Sequence, residues 1–125
     1  MKKFIAAILL SLISISANAD KQAFTEALYQ EYQNNNEVFL VDIFATWCPT
    51  CKKQSEVMAQ YFSENPDSKI KILVVDFDQQ KDWVTHFRAP RQSTLILYKG
   101  KEQIWFSVAE TNKEKIFDAF KKAEQ

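Results

Sequence analysis

Val38-Phe39-Leu40-Val41-Asp42-Ile43-Phe44, followed after Ala45-Thr46 by Trp47-Cys48-Pro49-Thr50-Cys51, is the stretch that decides how this chain folds. Its first seven residues are apolar except for Asp42, the pattern of a central strand covered on both faces. The run after the second cysteine, Lys52 to Phe62, is amphipathic at helical spacing, with Cys51, Ser55, Met58 and Phe62 along one face. A Cys-x-x-Cys pair between a strand and a helix reads as a redox site. There the first sulfur meets unpaired backbone N–H groups and the positive end of the helix dipole. That field favours the thiolate, which is the reactive form. The spacing predicts that Cys51 points inward and that Cys48 stays at the exposed tip.

Asp42 is the exception within the strand. A carboxylate there must be partnered, be protonated or have a task. It reads either as a strand-end aspartate with solvent access or as a buried proton acceptor near the second sulfur. Lys52 and Lys53 flank the site, where they either favour the thiolate or are simply solvated.

Outward from this centre the chain has 125 residues, enough for one domain with a packed core. Lys2 and Lys3, the apolar run Phe4 to Ile15 and the small-x-small site Ala17-Asn18-Ala19 read as a cleavable signal peptide, residues 1–19. The apolar run is short for a membrane span, so an uncleaved anchor is the lesser reading. Residues 20–125 then form the mature domain. Without Lys2 and Lys3 it has fourteen basic and sixteen acidic side chains, a net charge of about −2. That balance argues against nucleic acid and against an anionic membrane surface as partners. The address points to a bacterial periplasm.

Export places Cys48 and Cys51 where disulfides persist. A structural bridge stabilises mainly by closing a long loop, and this one closes almost none. A Cys48–Cys51 disulfide that is made and broken is therefore the favoured reading over an inert one.

Lys21 to Gln33 reads as a helix with Phe24, Leu28 and Tyr32 on its inner stripe beside Ala27, stopped by Asn34-Asn35-Asn36. Ile70 to Phe77 is a second interior strand, and Asp78 to Phe87 a short helix that Asp78 could cap. The lone histidine, His86, has no matching acid or cysteine and reads as a packing or surface residue. Thr94 to Tyr98 and Glu102 to Val108 form a hairpin about Gly100. Thr111 with Glu114 makes a capping box for a last helix whose inner face is Ile116, Phe117 and Phe120. The order predicts an α/β fold: a four-stranded mixed sheet with helices on both faces.

With these elements placed, the chain resembles the thioredoxin family over nearly all of its mature part. The resemblance rests on Val41-Asp42-Ile43-Phe44, Trp47-Cys48-Pro49-Thr50-Cys51-Lys52 and Thr94-Leu95-Ile96-Leu97-Tyr98-Lys99-Gly100. It implies the thioredoxin-like three-layer sandwich, Cys48 as the attacking sulfur, Cys51 as the resolving one, Asp42 as the buried acid and Trp47 as the aromatic beside the site. Pro49 and Thr50, between the cysteines, tune thiolate stability, and Ser93 and Thr94 fall on the substrate-binding edge. The Trp-Cys-Pro-Thr-Cys string is similar to that of periplasmic thioredoxins that reduce apocytochrome c. The extra segment those proteins carry after the site helix has no room here, so their substrate is not carried over.

Three departures stand out. Ser93 occupies the place where the family has a cis-proline. A non-proline cis bond costs about 3–4 kcal/mol, so a trans bond is expected at Gln92–Ser93, leaving a hydroxyl and an N–H near the sulfurs; Pro90 is the weaker candidate for a cis bond. Val74 stands where the family often has a lysine facing the buried acid, so burial should raise the pKa of Asp42. Val108 replaces the family's glycine before the last helix.

These readings converge on thiol–disulfide exchange on protein disulfides, with a membrane thiol–disulfide carrier as the reductant, no cofactor, no resident metal and a monomeric state. The absence of histidine between the cysteines leans towards a reductase; a dithiol oxidase is the alternative direction. The rival classes are a copper or other metal-delivery protein using the same two thiolates and a redox-silent binding module on the same fold.

Overall fold

The computed structural model describes residues 20–125; the expected signal peptide, residues 1–19, lies outside the described residues. In chain order the elements are β1 (Asp20–Ala23), α1 (Glu26–Asn34), β2 (Val38–Phe44), α2 (Pro49–Glu64), β3 (Lys71–Asp76), α3 (Lys81–His86), β4 (Thr94–Lys99), β5 (Glu102–Val108) and α4 (Lys113–Ala123). They build one five-stranded sheet in the order β1-β3-β2-β4-β5. β2 runs parallel to β3 and antiparallel to β4, which places it at the centre. Its residues Phe39 to Ile43 are all buried, as the apolar run predicts for a strand covered on both faces.

Alternation along β2 divides the core in two. Leu40 faces a layer built from α2 and α4, with Met58, Tyr61, Phe62, Ile116 and Phe120. Phe39, Val41 and Ile43 face the other layer, with Tyr29 and Tyr32 of α1 and Phe87 beyond α3. The two layers and the sheet between them are the expected three-layer sandwich.

The sheet has five strands rather than four. β1 pairs in parallel with β3, Asp20 opposite Lys71 and Ala23 opposite Val74. All four of its residues are exposed, so it carries no apolar alternation that could mark it as a strand. The first helix correspondingly begins at Glu26, not Lys21. Thr25 caps it by accepting the Leu28 N–H at 3.1 Å. Phe24, Tyr29 and Tyr32 are buried as one stripe with Leu28 half-buried, whereas Ala27 is exposed.

Two caps fall elsewhere than expected. Asn112, not Thr111, caps α4, accepting the Lys115 N–H at 3.0 Å. The first turn of α3 begins after Gln80 and has no side-chain cap, so Asp78 is free for another partner. The residue that takes the left-handed backbone before α4 is Ala109 (φ 57°), not Val108, which is the last residue of β5. Gly100 turns the hairpin at φ 58°, where an added Cβ would lie 2.5 Å from the Asn36 side chain.

Candidate redox site

The C-terminal end of β2 delivers the chain into the Cys48 loop, and Pro49 opens α2 at its first position. Proline is well suited there, because its fixed φ matches the helix and its missing N–H is not needed. Cys48 is the N-cap residue of α2: its Sγ accepts the Cys51 N–H at 3.1 Å. The Cys48 sulfur thus lies at the positive end of the α2 dipole with a backbone donor aimed at it. Both cysteines are free thiols.

Cys48 is not an open tip. It is 3% exposed and forms a small cluster with Ala45 and Cys51, against which Phe44 and Phe77 pack. The N-cap geometry is the physical reason, since it turns the sulfur back over the first turn of the helix instead of out into solvent. The exposed member of the motif is Trp47, at 57%. Its indole Nε1 donates to Asp78 at 2.8 Å and its ring meets Phe77 edge-on at 6.4 Å. Asp78, expected as a cap for α3, therefore tethers the aromatic beside the site. Thr50 is half-buried.

Cys51 points inward as expected. Its Sγ donates to the Ile43 carbonyl at 4.0 Å. Burial, and then the hydrogen bond with Cys48, push its thiol up to about 12. Asp42 lies in the strand beneath, opposite Val74 on β3 and Leu95 on β4. It is 1% exposed, and neither carboxylate oxygen has a hydrogen-bond partner in the protein. Burial raises its pKa from 3.8 to about 6, with the charge of Lys21 on β1 pulling the other way. Of the two readings of Asp42, the buried acid is the one the structure supports. Its charge acts on Cys51, so the two groups sit in one electrostatic unit. Val74 does face Asp42, as the sequence comparison with the family predicts, and the nearby cation comes from the sheet edge instead.

Ser93 and Thr94 are both fully buried. All described peptide bonds are trans, including Gln92–Ser93 and Ala89–Pro90. The donors expected from Ser93 are not on offer: its N–H goes to the Ile43 carbonyl at 2.8 Å and its hydroxyl to the Gln92 carbonyl. Thr94 likewise spends its hydroxyl on the Arg91 carbonyl at 2.7 Å. Ser93 takes a left-handed conformation (φ 61°), and that backbone turns its N–H inward to the sheet. These two residues thus shape the rim beside the sulfurs and present no free donor to a ligand.

Gln54 was missed by the sequence reading. It is fully buried one turn after Cys51, and its Nε2 donates to the carbonyls of Ser93 and Glu110, both at 3.0 Å. Its position three residues from Cys51 puts it on the inward face, which is the available signal; Ser55, on the stripe that helical spacing predicts, is half-buried with an unpartnered hydroxyl. Among the described residues there is no group of three or more His, Cys, Asp or Glu side chains placed to hold a metal ion, which leaves the two thiols as the only soft ligands at the site. A hollow of about 1080 Å³ lies at the opposite end of β2 and α2, and Glu124 within it is engaged by Tyr61, Ser68 and Lys69.

Comparison with known proteins gives a consistent picture. The family model Thioredoxin matches residues 16–122. A thioredoxin of Ophiophagus hannah is 32% identical over 88 residues, covering 70% of this chain and 80% of that protein. A thioredoxin of Staphylococcus saprophyticus is 32% identical over 85 residues, 68% of this chain and 81% of the relative. Among solved structures, Trxlp from Edwardsiella tarda superposes with a TM-score of 0.73 at 32% identity, covering 78% of this chain and 95% of that one.

Proposed function

This chain belongs to the thioredoxin family, and from that premise we propose that it is an exported thiol–disulfide oxidoreductase that reduces protein disulfides in the periplasm through Cys48 and Cys51. Thiol–disulfide exchange is the chemistry its thioredoxin relatives imply; the direction, the compartment and the residue roles are this proposal's own. The observation that carries the roles is the Cys48 sulfur held at the start of α2 against the Cys51 N–H. That sulfur is the one prepared to attack.

In the first step the Cys48 thiolate attacks one sulfur of a substrate disulfide. The substrate S–S bond breaks, its other sulfur leaves as a thiolate and takes a proton, and a mixed disulfide joins substrate to Cys48. In the second step Cys51 gives up its proton and attacks the Cys48 sulfur. The mixed disulfide breaks, the substrate departs with two thiols, and Cys48 and Cys51 end as a disulfide. A thiol pushed up to about 12 needs a base. Asp42, at about 6, is ionised at neutral pH and able to accept that proton inside the core. A membrane thiol–disulfide carrier then returns two electrons to the Cys48–Cys51 pair.

The reducing direction rests on the residues between the sulfurs, Pro49 and Thr50, which lack a histidine to stabilise the thiolate strongly. Reduction potentials of such pairs span about −270 to −120 mV. Equilibration with glutathione should place this pair near the reducing end; a value near the oxidising end reverses the direction. The residue roles are tested by trapping. A Cys51→Ala variant should accumulate a mixed disulfide on Cys48 with insulin, while Cys48→Ser should lose turnover by at least about three orders of magnitude. Turnover that survives in Cys48→Ser sinks the assignment. The address is tested by N-terminal sequencing of protein from a periplasmic fraction, where the chain should begin at Asp20.

A further inference from the structure

We propose that Gln54 is a positioning residue for protein substrates: its carboxamide holds the rim loops at 91–93 and 109–111 in one arrangement around the sulfurs. The proposal rests on the reductase reading above and deepens it.

Gln54 is a polar side chain at 0% exposure on the helix that carries both cysteines. Burial of an amide is unfavourable unless its polar atoms are used. Here the two N–H bonds of one Nε2 are divided between two loops far apart in sequence, reaching Ser93 O and Glu110 O at 3.0 Å each. The Ser93 carbonyl also accepts the Ala109 N–H at 2.9 Å, so the two loops are tied to each other as well as to α2. Both loops turn through non-glycine residues in the left-handed region, Ser93 at φ 61° and Ala109 at φ 57°. Such residues persist where surrounding contacts over-determine them.

The clamp leads to the sulfurs by a short path. Ser93 donates its N–H to the Ile43 carbonyl, the same oxygen that accepts from Cys51 Sγ. Fixing Ser93 therefore fixes the backbone beside Cys51. The neighbouring surface is apolar and exposed, with Trp47 on one side and Val108, paired with Thr94, on the other. A protein disulfide arrives on a backbone that must lie against this rim, whereas a small disulfide needs only the sulfur. Gln54 touches neither, and acts through Ser93 and Glu110.

The test compares wild type with Gln54→Met, which keeps side-chain length and volume but removes both donors. With insulin as the protein disulfide and dithiothreitol as the reductant, KM should rise about fivefold or more with kcat within about twofold. The rate with a small aromatic disulfide, dithiobis(nitrobenzoate), should stay within about twofold. An unchanged KM for insulin overturns the proposal, and so does an equal loss with both substrates. If Gln54→Met does not fold, the same measurements on Gln54→Leu, which also lacks both donors, decide it by the same two criteria. The two levels of inference fail separately: wild type inactive on insulin defeats the reductase reading, while active wild type with an unmoved Gln54→Met defeats only the clamp.

Discussion

The two faces of β2 share seven residues of backbone and both bury large apolar clusters, but the acid, the buried carboxamide and the cysteines all sit on one of them. On one face Phe39, Val41 and Ile43 meet an aromatic layer in which Phe39 stacks on Tyr98 with centroids 5.2 Å apart and Tyr29 touches Phe24, Phe39, Phe87 and Tyr98. Aromatic pairs of this kind add to the area they bury. On the other face, beneath α2, sit the buried polar side chains Asp42 and Gln54 and the half-buried Ser55, each with at least one side-chain oxygen lacking a hydrogen-bond partner. Buried polar atoms without partners cost stability. The face beneath α2 also buries a large apolar cluster, with Tyr61, Phe62 and Phe120 in mutual aromatic contact, and that packing holds the acid, the carboxamide and the two thiols in place.

The largest effect that would break this contrast lies on the aromatic face. Phe39→Ala should cost about 3–5 kcal/mol in urea unfolding, the usual range for emptying a buried aromatic site. Exchange activity measured at low temperature, where the variant stays folded, should remain within about twofold of wild type, because Phe39 faces away from the cysteines. A large activity loss in the folded variant would show that the faces do not divide the work.

A smaller effect of opposite sign is expected on the polar face. The folded state raises the Asp42 carboxyl from 3.8 to about 6, so between those values the folded protein keeps a proton that the unfolded chain releases. The stability that this proton brings is full below about pH 3.8 and is lost as pH rises through about 6. At about 1.4 kcal/mol per unit the loss amounts to about 3 kcal/mol at neutral pH. Asp42→Leu should therefore gain stability over wild type at pH 7.5, and that gain should shrink by about 3 kcal/mol on going to pH 3.5. The same variant should slow release of the mixed disulfide, since Cys51 loses its proton acceptor. A stability difference that does not change with pH would mean that the Asp42 charge is solvated or paired.

The contrast also explains what could be read from the sequence. β2 and β5 were legible to the residue, because apolar runs and a glycine turn are local signals, and the redox pair announced itself by spacing. β1 was not legible: Asp20–Ala23 is an exposed edge strand held by backbone pairing with β3, and its side chains record nothing of that. Asp78 looked like a helix cap because capping is short-range chemistry, yet its partner is Trp47, thirty-one residues away. Gln54 bonds to carbonyls thirty-nine and fifty-six residues distant, a relation that only the closed fold creates. The exposure of Cys48 was misjudged for a related reason, since the N-cap bond that turns its sulfur inward depends on the side-chain rotamer and not on spacing.

Lys21 brings charge to the polar face from β1, the edge strand whose side chains give no strand signal in the sequence. It pairs with Ile72 on β3, and its Nζ lies 5.9 Å from the Phe44 ring, close to the cysteine cluster. Its charge lowers the Asp42 carboxyl against the larger effect of burial. Lys21→Met should thus move the Asp42 titration upward, by well under the distance that burial has already moved it, since burial is the larger cause. Raising the pKa leaves less Asp42 ionised at neutral pH, so the acid limb of the pH–rate profile for release of the mixed disulfide should shift upward with it. Unfolding stability should change little, as the side chain is exposed. The measurement is a carboxyl titration of the reduced protein by NMR, run beside the pH–rate profile. If neither moves, the polar face is governed by burial alone and the edge strand has no part in its chemistry.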